Sequence, residues 1–141
     1  MKSDTSVHNI CIAAIKRHTM KPYDFKWTRF YEEPENLLIR YPGIINIGEG
    51  ERPICSTIIN GNNWSILSTQ RIFTQMNGKL TIGNMNNSEN LSYGDFKGYE
   101  KNETTIGSIL LANGIKLGYF IETGKASMVM IYGISTRISI C

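Results

Sequence analysis

The most restrictive feature of this chain is its punctuation between residues 52 and 121. Short runs rich in β-branched and aromatic residues alternate there with asparagine–glycine turn signals. Asn77-Gly78 separates the runs 71–76 and 79–83 by two residues, the spacing of a type I′ hairpin, whose two central residues both need positive φ. Asn113-Gly114 stands in the same way between 104–112 and 115–121. Asn60-Gly61-Asn62-Asn63 closes a run over 52–59 and precedes 64–68, and Thr69-Gln70 turns that run into 71–76. Residues 84–90 read as a loop, and 91–99 as an irregular strand with bulges at Gly94 and Gly98. The pattern predicts an antiparallel meander of about seven strands.

Helical signals flank the meander. Ser3, Asp4 and Thr5 supply capping oxygens, and Val7, Ile10, Cys11, Ala14, Ile15 and His18 follow helical spacing up to the stop at Pro22. Residues 23–28 alternate aromatic with polar side chains and fit either a strand or a packed helical turn. Pro34, Pro42, Gly43, Gly48 and Gly50 break the following stretch, and Leu37-Leu38-Ile39 and Ile44-Ile45-Ile47 within it require burial. Beyond Gly124, Met128, Ile131, Ser135 and Ile138 share one helical face, extended by Met130, Ile134 and Cys141, which predicts a helix over 125–138. The β-branched Val129, Ile131, Ile134 and Ile138 also suit a strand.

A chain of 141 residues corresponds to one domain, 1–141, with an N-terminal helical and irregular extension over 1–50. Hydrophobic residues at 41% and charged residues at 19% exclude a disordered tail or a coiled coil. A net charge of +3 falls short of a nucleic-acid binder, and no apolar run is long enough for stable membrane insertion. Three widely spaced cysteines, Cys11, Cys55 and Cys141, with no leader-like N-terminus, suggest reduced thiols and a cytoplasmic location.

The segment Trp64-Ser65-Ile66-Leu67-Ser68-Thr69-Gln70-Arg71-Ile72, followed by Asn77-Gly78-Lys79, resembles the strand–turn–strand stretch of bacterial pleckstrin-homology-like (PH-like) and GRAM-type domains. Ser68 stands where those domains more usually carry threonine. The resemblance covers residues 50–140. It implies an α+β fold in which a strongly bent antiparallel barrel over 51–141 is capped by the C-terminal helix. Within that frame Trp64 would tie one sheet to the other, the Ser68 and Thr69 hydroxyls would satisfy turn backbone, and Arg71 would bridge strand edges or meet a carboxylate. Asn77, Gly78, Asn113 and Gly114 would shape hairpins.

Little in the chain suggests chemistry. Phosphoinositide recognition needs clustered cations at the first hairpin, but residues 60–63 are uncharged and only Arg52 precedes them. His8 and His18 would lie about 15 Å apart along one helix, too far to share a metal. No serine elbow or glycine-rich phosphate loop occurs, so no cofactor and no catalytic residue are expected. Charge is segregated instead. Residues 1–29 hold six basic against two acidic side chains, including Lys16, Arg17, Lys21, Lys26 and Arg29. Residues 30–60 hold Glu32, Glu33, Glu35, Glu49 and Glu51 against two arginines. Such a bipolar surface either satisfies itself or steers a charged protein partner. The expected function is a non-enzymatic module that binds another protein, in a specific version an immunity protein occluding a toxin. The alternative is membrane-surface contact through the basic, aromatic arm; the same aromatics docking onto the barrel outweigh nucleic-acid binding.

Overall fold

The computed structural model describes residues 2–140. Helix α1 (Asp4–His18) starts where Ser3 Oγ accepts the Ser6 N–H at 3.2 Å, and Asp4 at its start with Lys16, Arg17 and His18 at its end oppose the helix dipole. Strand β1 (Thr28–Phe30) follows, so the 23–28 stretch resolves into irregular chain leading to a short strand, and α2 (Asn36–Arg40) is a single turn and a half. The meander comprises β2 (Pro53–Asn60), β3 (Asn63–Ser68), β4 (Arg71–Met76), β5 (Lys79–Asn84), β6 (Glu89–Ser92), β7 (Thr104–Leu110) and β8 (Lys116–Glu122). A 3-10 turn at Gly124–Ala126 leads into α3 (Ser127–Ser139), helical as the apolar spacing requires.

The strands form two antiparallel sheets, β1-β2-β3-β4-β5 and β6-β7-β8. Asn77 and Gly78 have φ of 52° and 80° and close β4 onto β5 through the pair Met76↔Lys79, a type I′ hairpin. At the last hairpin only Gly114 has positive φ, and Asn113 instead caps the loop by accepting the Ile115 N–H. The strand expected over 91–99 ends at Ser92. Gly94 and Gly98 lie in the following loop, both with positive φ, and a Cβ at Gly94 would stand 2.7 Å from the Ile106 carbonyl oxygen.

Two departures from the expected barrel matter for function. The sheets do not join by hydrogen bonds into a closed cylinder. They enclose one large core in which Ile54, Cys55, Leu67 and Ile72 of the first sheet meet Ile109, Leu117, Tyr119 and Ile121 of the second. A buried cross-link joins them, the Phe120 N–H donating to Ser65 Oγ at 2.9 Å. Nor are residues 1–50 an appendage: Val7, Cys11, Ile12 and Ile15 of α1 enter this same core beside Val129, Met130 and Ile134 of α3. Helix α3 comes close to both neighbours at Gly133, where a Cβ would stand 3.3 Å from Ile15 Cδ1 of α1 and 2.8 Å from Cys55 Sγ of β2. Helix α3 therefore packs against another helix as well as against strands.

The opposite face of the first sheet carries a second core. Tyr31, Leu37 and Ile45 cover Trp64, Ile66 and Phe73. Trp64 is 3% exposed, buried as expected, but it faces this N-terminal cover instead of bridging the sheets. With both faces covered, β2 and β3 are buried almost throughout, which explains why their sequences lack clean alternation.

Candidate functional site

The covering segment is fastened by one interior carboxylate. Glu51 belongs by sequence to the acidic stretch but is 5% exposed. It accepts from Arg71 Nε at 3.0 Å, Arg71 Nη2 at 2.6 Å, the Gly48 N–H at 2.9 Å and the Ser68 hydroxyl. Burial opposes its charge, yet the bonds from Arg71, Ser68 and Gly48 together hold its carboxyl below the usual range. Arg71 Nη2 also donates to the Asn46 carbonyl at 2.8 Å, and Ser68 Oγ accepts the Gln70 and Arg71 N–H groups. Both residues thus have structural work: they tie the 46–51 loop to the β3–β4 turn. Thr69 completes the turn by accepting the Arg52 N–H at 3.0 Å.

The fastened cover ends in a groove of about 440 Å³ along β1. Strand β1 is an edge of its sheet. On either side of β1 the Ile58 N–H donates to the Trp27 carbonyl and the Tyr31 N–H to the Ile54 carbonyl, so within β1 the bonded pair is Arg29↔Ser56. By antiparallel alternation the N–H and C=O groups of Thr28 and Phe30 point away from β2 and find no backbone partner among the described residues, but Thr28 is 1% exposed, so only the half-buried Phe30 end of this edge is open. Tyr23 and Phe25 flank the groove on one side and Asn36, Ile39 and Arg40 of α2 on the other. Tyr23 meets Phe30 edge-to-face at 4.9 Å, which holds the aromatic wall.

Ile39 is 70% exposed. Of the apolar triplet 37–39, Leu37 is buried in the second core, while Ile39 lies at the groove, against the expectation of burial. Sequence gave no sign of this, because a single turn and a half of helix buries one side only and its rotation is set by the sheet beneath.

The predicted basic residues separate. Arg29 lines the groove. Lys16 pairs with Glu32, another lining residue, at 2.5 Å, realising the expected complementarity between basic and acidic segments. Lys21 lies 5.9 Å from the Tyr23 ring. Lys26 is directed elsewhere, 4.5 Å over the Trp27 ring and 3.4 Å from Glu103. Arg17 is exposed on α1, and Glu33, Glu35 and Glu49 are exposed outside the groove. Arg40, which sequence reasoning passed over, joins Arg29 at the rim. Neither forms an ion pair among the described residues, whereas the one lining carboxylate, Glu32, is already neutralised. The groove is aromatic with a cationic rim.

Among the described residues no cluster of three metal-ligating side chains occurs, and no helix is long and apolar enough to cross a membrane. No protein-family model matches the chain, and neither curated proteins nor solved structures provide a match.

Proposed function

We propose that this chain is a non-enzymatic module of PH-like architecture that binds an extended, acidic segment of another protein along β1. The architectural part rests on element order. A four-stranded meander (β2–β5), a three-stranded one (β6–β8) and a terminal helix follow one another as in the PH-like resemblance, with α1, β1 and α2 as additions.

The functional part is carried by the cationic aromatic groove beside the open Phe30 end of β1. An extended segment laid there would exchange hydrogen bonds with Phe30, and alternate side chains would fall toward Tyr23, Phe25 and Ile39. Arg29 and Arg40 favour carboxylates on the incoming strand and reject lysine-rich ones. With Phe30 alone open on this edge the backbone contact is short, suited to reversible capture.

A pair of synthetic peptides tests this, one alternating valine with glutamate and the other valine with lysine. The acidic peptide should bind and protect the Phe30 amide from hydrogen exchange. In Arg29→Glu/Arg40→Glu the preference should invert toward the lysine peptide. Binding of the acidic peptide that survives this double reversal, or that leaves the Phe30 amide unprotected, refutes the assignment.

A further inference from the structure

Arg137, in the last turn of α3, is 5% exposed, the only buried lysine or arginine among the described residues. Its Nε donates to the Thr69 carbonyl at 2.6 Å and its Nη2 to Asn86 Oδ1 at 2.7 Å. Both acceptors are neutral, and no carboxylate lies within ion-pairing distance among the described residues. A guanidinium offers five N–H donors, so most of its bonding capacity has no protein acceptor. Burying a cation in this state is costly unless an anion completes it.

The guanidinium borders a cleft of about 460 Å³ between the start of α1, the β3–β4 turn, the turn after β5 and the end of α3. That volume lies in the range of small-molecule sites. Lys2, Gln70 and Asn87 give it a polar side, and Val7, Ile138 and Ile140 an apolar one. Asp4 also stands there, but its oxygens already accept from Gln70 Nε2 at 3.2 and 3.1 Å and from Thr69 Oγ1 at 2.5 Å. Its fixed negative charge disfavours a multiply charged anion such as phosphate and tolerates a single one.

We propose that this cleft binds a small organic monocarboxylate, its carboxylate on Arg137 and its hydrocarbon part against Val7, Ile138 and Ile140. The planar fork of a guanidinium matches a carboxylate in geometry as well as charge. The site is separate from the β1 groove, so either assignment can fail alone.

The test is titration of the isotope-labelled full chain with sodium hexanoate, with hexanamide and inorganic phosphate as comparators. Hexanoate should give saturable shifts at the Arg137 Nε–H and the Gln70 side-chain amide, and both comparators should bind about tenfold or more weakly. Arg137→Gln should abolish the response, but it also removes two interior hydrogen bonds. Asn86→Asp therefore provides the second variant. It keeps the shape of an exposed turn residue already bonded to Nη2, supplies the missing charge internally, and should weaken hexanoate about tenfold while preserving the fold. Equal binding of hexanamide, unchanged hexanoate affinity in Asn86→Asp, or no saturable response up to about 10 mM overturns the proposal.

Discussion

Replacing Glu51 with glutamine changes one atom's identity at the point where the cover is fastened to the first sheet. The wild-type carboxylate has a fully buried side chain, and its Arg71 partner is 30% exposed. In Glu51→Gln the amide oxygen can still accept one N–H from Arg71, but the amide nitrogen then faces a second donor. One charge-assisted bond is lost and Arg71 is left incompletely neutralised. A charged hydrogen bond contributes about 1.5–3 kcal/mol, and breaking a buried pair outright costs about 3–5 kcal/mol. Because Arg71 retains solvent and the Asn46 carbonyl, the expected loss is about 2–4 kcal/mol. For a chain of this length that lowers Tm by about 7–14 °C.

Urea and thermal unfolding followed by tryptophan fluorescence at neutral pH would measure the loss. The pH dependence adds a second check. The folded carboxyl is held below its unfolded value, so its stabilisation is complete above the unfolded pKa of about 4.3 and disappears as pH falls through the folded value. The gap between wild type and variant should therefore close in acid. A double-mutant cycle with Arg71→Met should show coupling between the two positions. A loss under about 0.5 kcal/mol, or one that persists unchanged at low pH, would refute the fastening role.

Further outcomes concern the core. Gly133→Val should destabilise by about 1–3 kcal/mol in urea, because a Cβ there meets Cys55 Sγ at 2.8 Å and Ile15 Cδ1 at 3.3 Å, and Gly133→Val with Cys55→Ala should recover part of it. Cys11 and Cys55 should resist alkylation in the native protein and react only after denaturant is added, as read by mass spectrometry of their peptides. Burial pushes the Cys11 thiol up to about 12 and Cys55 well above its ordinary value, so thiolate is scarce at neutral pH.

Much of the scaffold was legible locally. Helix α1 was announced by Ser3 and its apolar face, and β4–β5 by Asn77-Gly78, because a cap or a tight turn is chosen by residues adjacent in sequence. Residues 23–28 fit a strand or a helical turn equally in sequence, and the strand starts only at Thr28, because a three-residue edge owes its form to pairing with β2. The position of the last strands was less legible for a similar reason. Residues 91–99 have strand-like composition, yet only Glu89–Ser92 finds a partner in β7.

The candidate groove was only half visible. Arg29 belonged to an evident basic arm, but Arg40 and Ile39 acquire their role from the rotation of α2 over the second core. Arg137 offered no signal at all: a lone arginine near a helix end is ordinarily solvated, and its burial depends on Thr69 and Asn86, brought in from 68 and 51 positions away.

The amino-acid order alone determined helix α1, the β4–β5 hairpin and the strand runs between 52 and 83, since each is governed by contacts within a few residues. Tertiary packing decided that the strands form two open sheets around α1 and α3, that Glu51 lies inside while Ile39 lies outside, and that one buried guanidinium has no ion-pair partner among the described residues. Those outcomes depend on which distant surfaces meet, and on the cost of removing charge from water once they do.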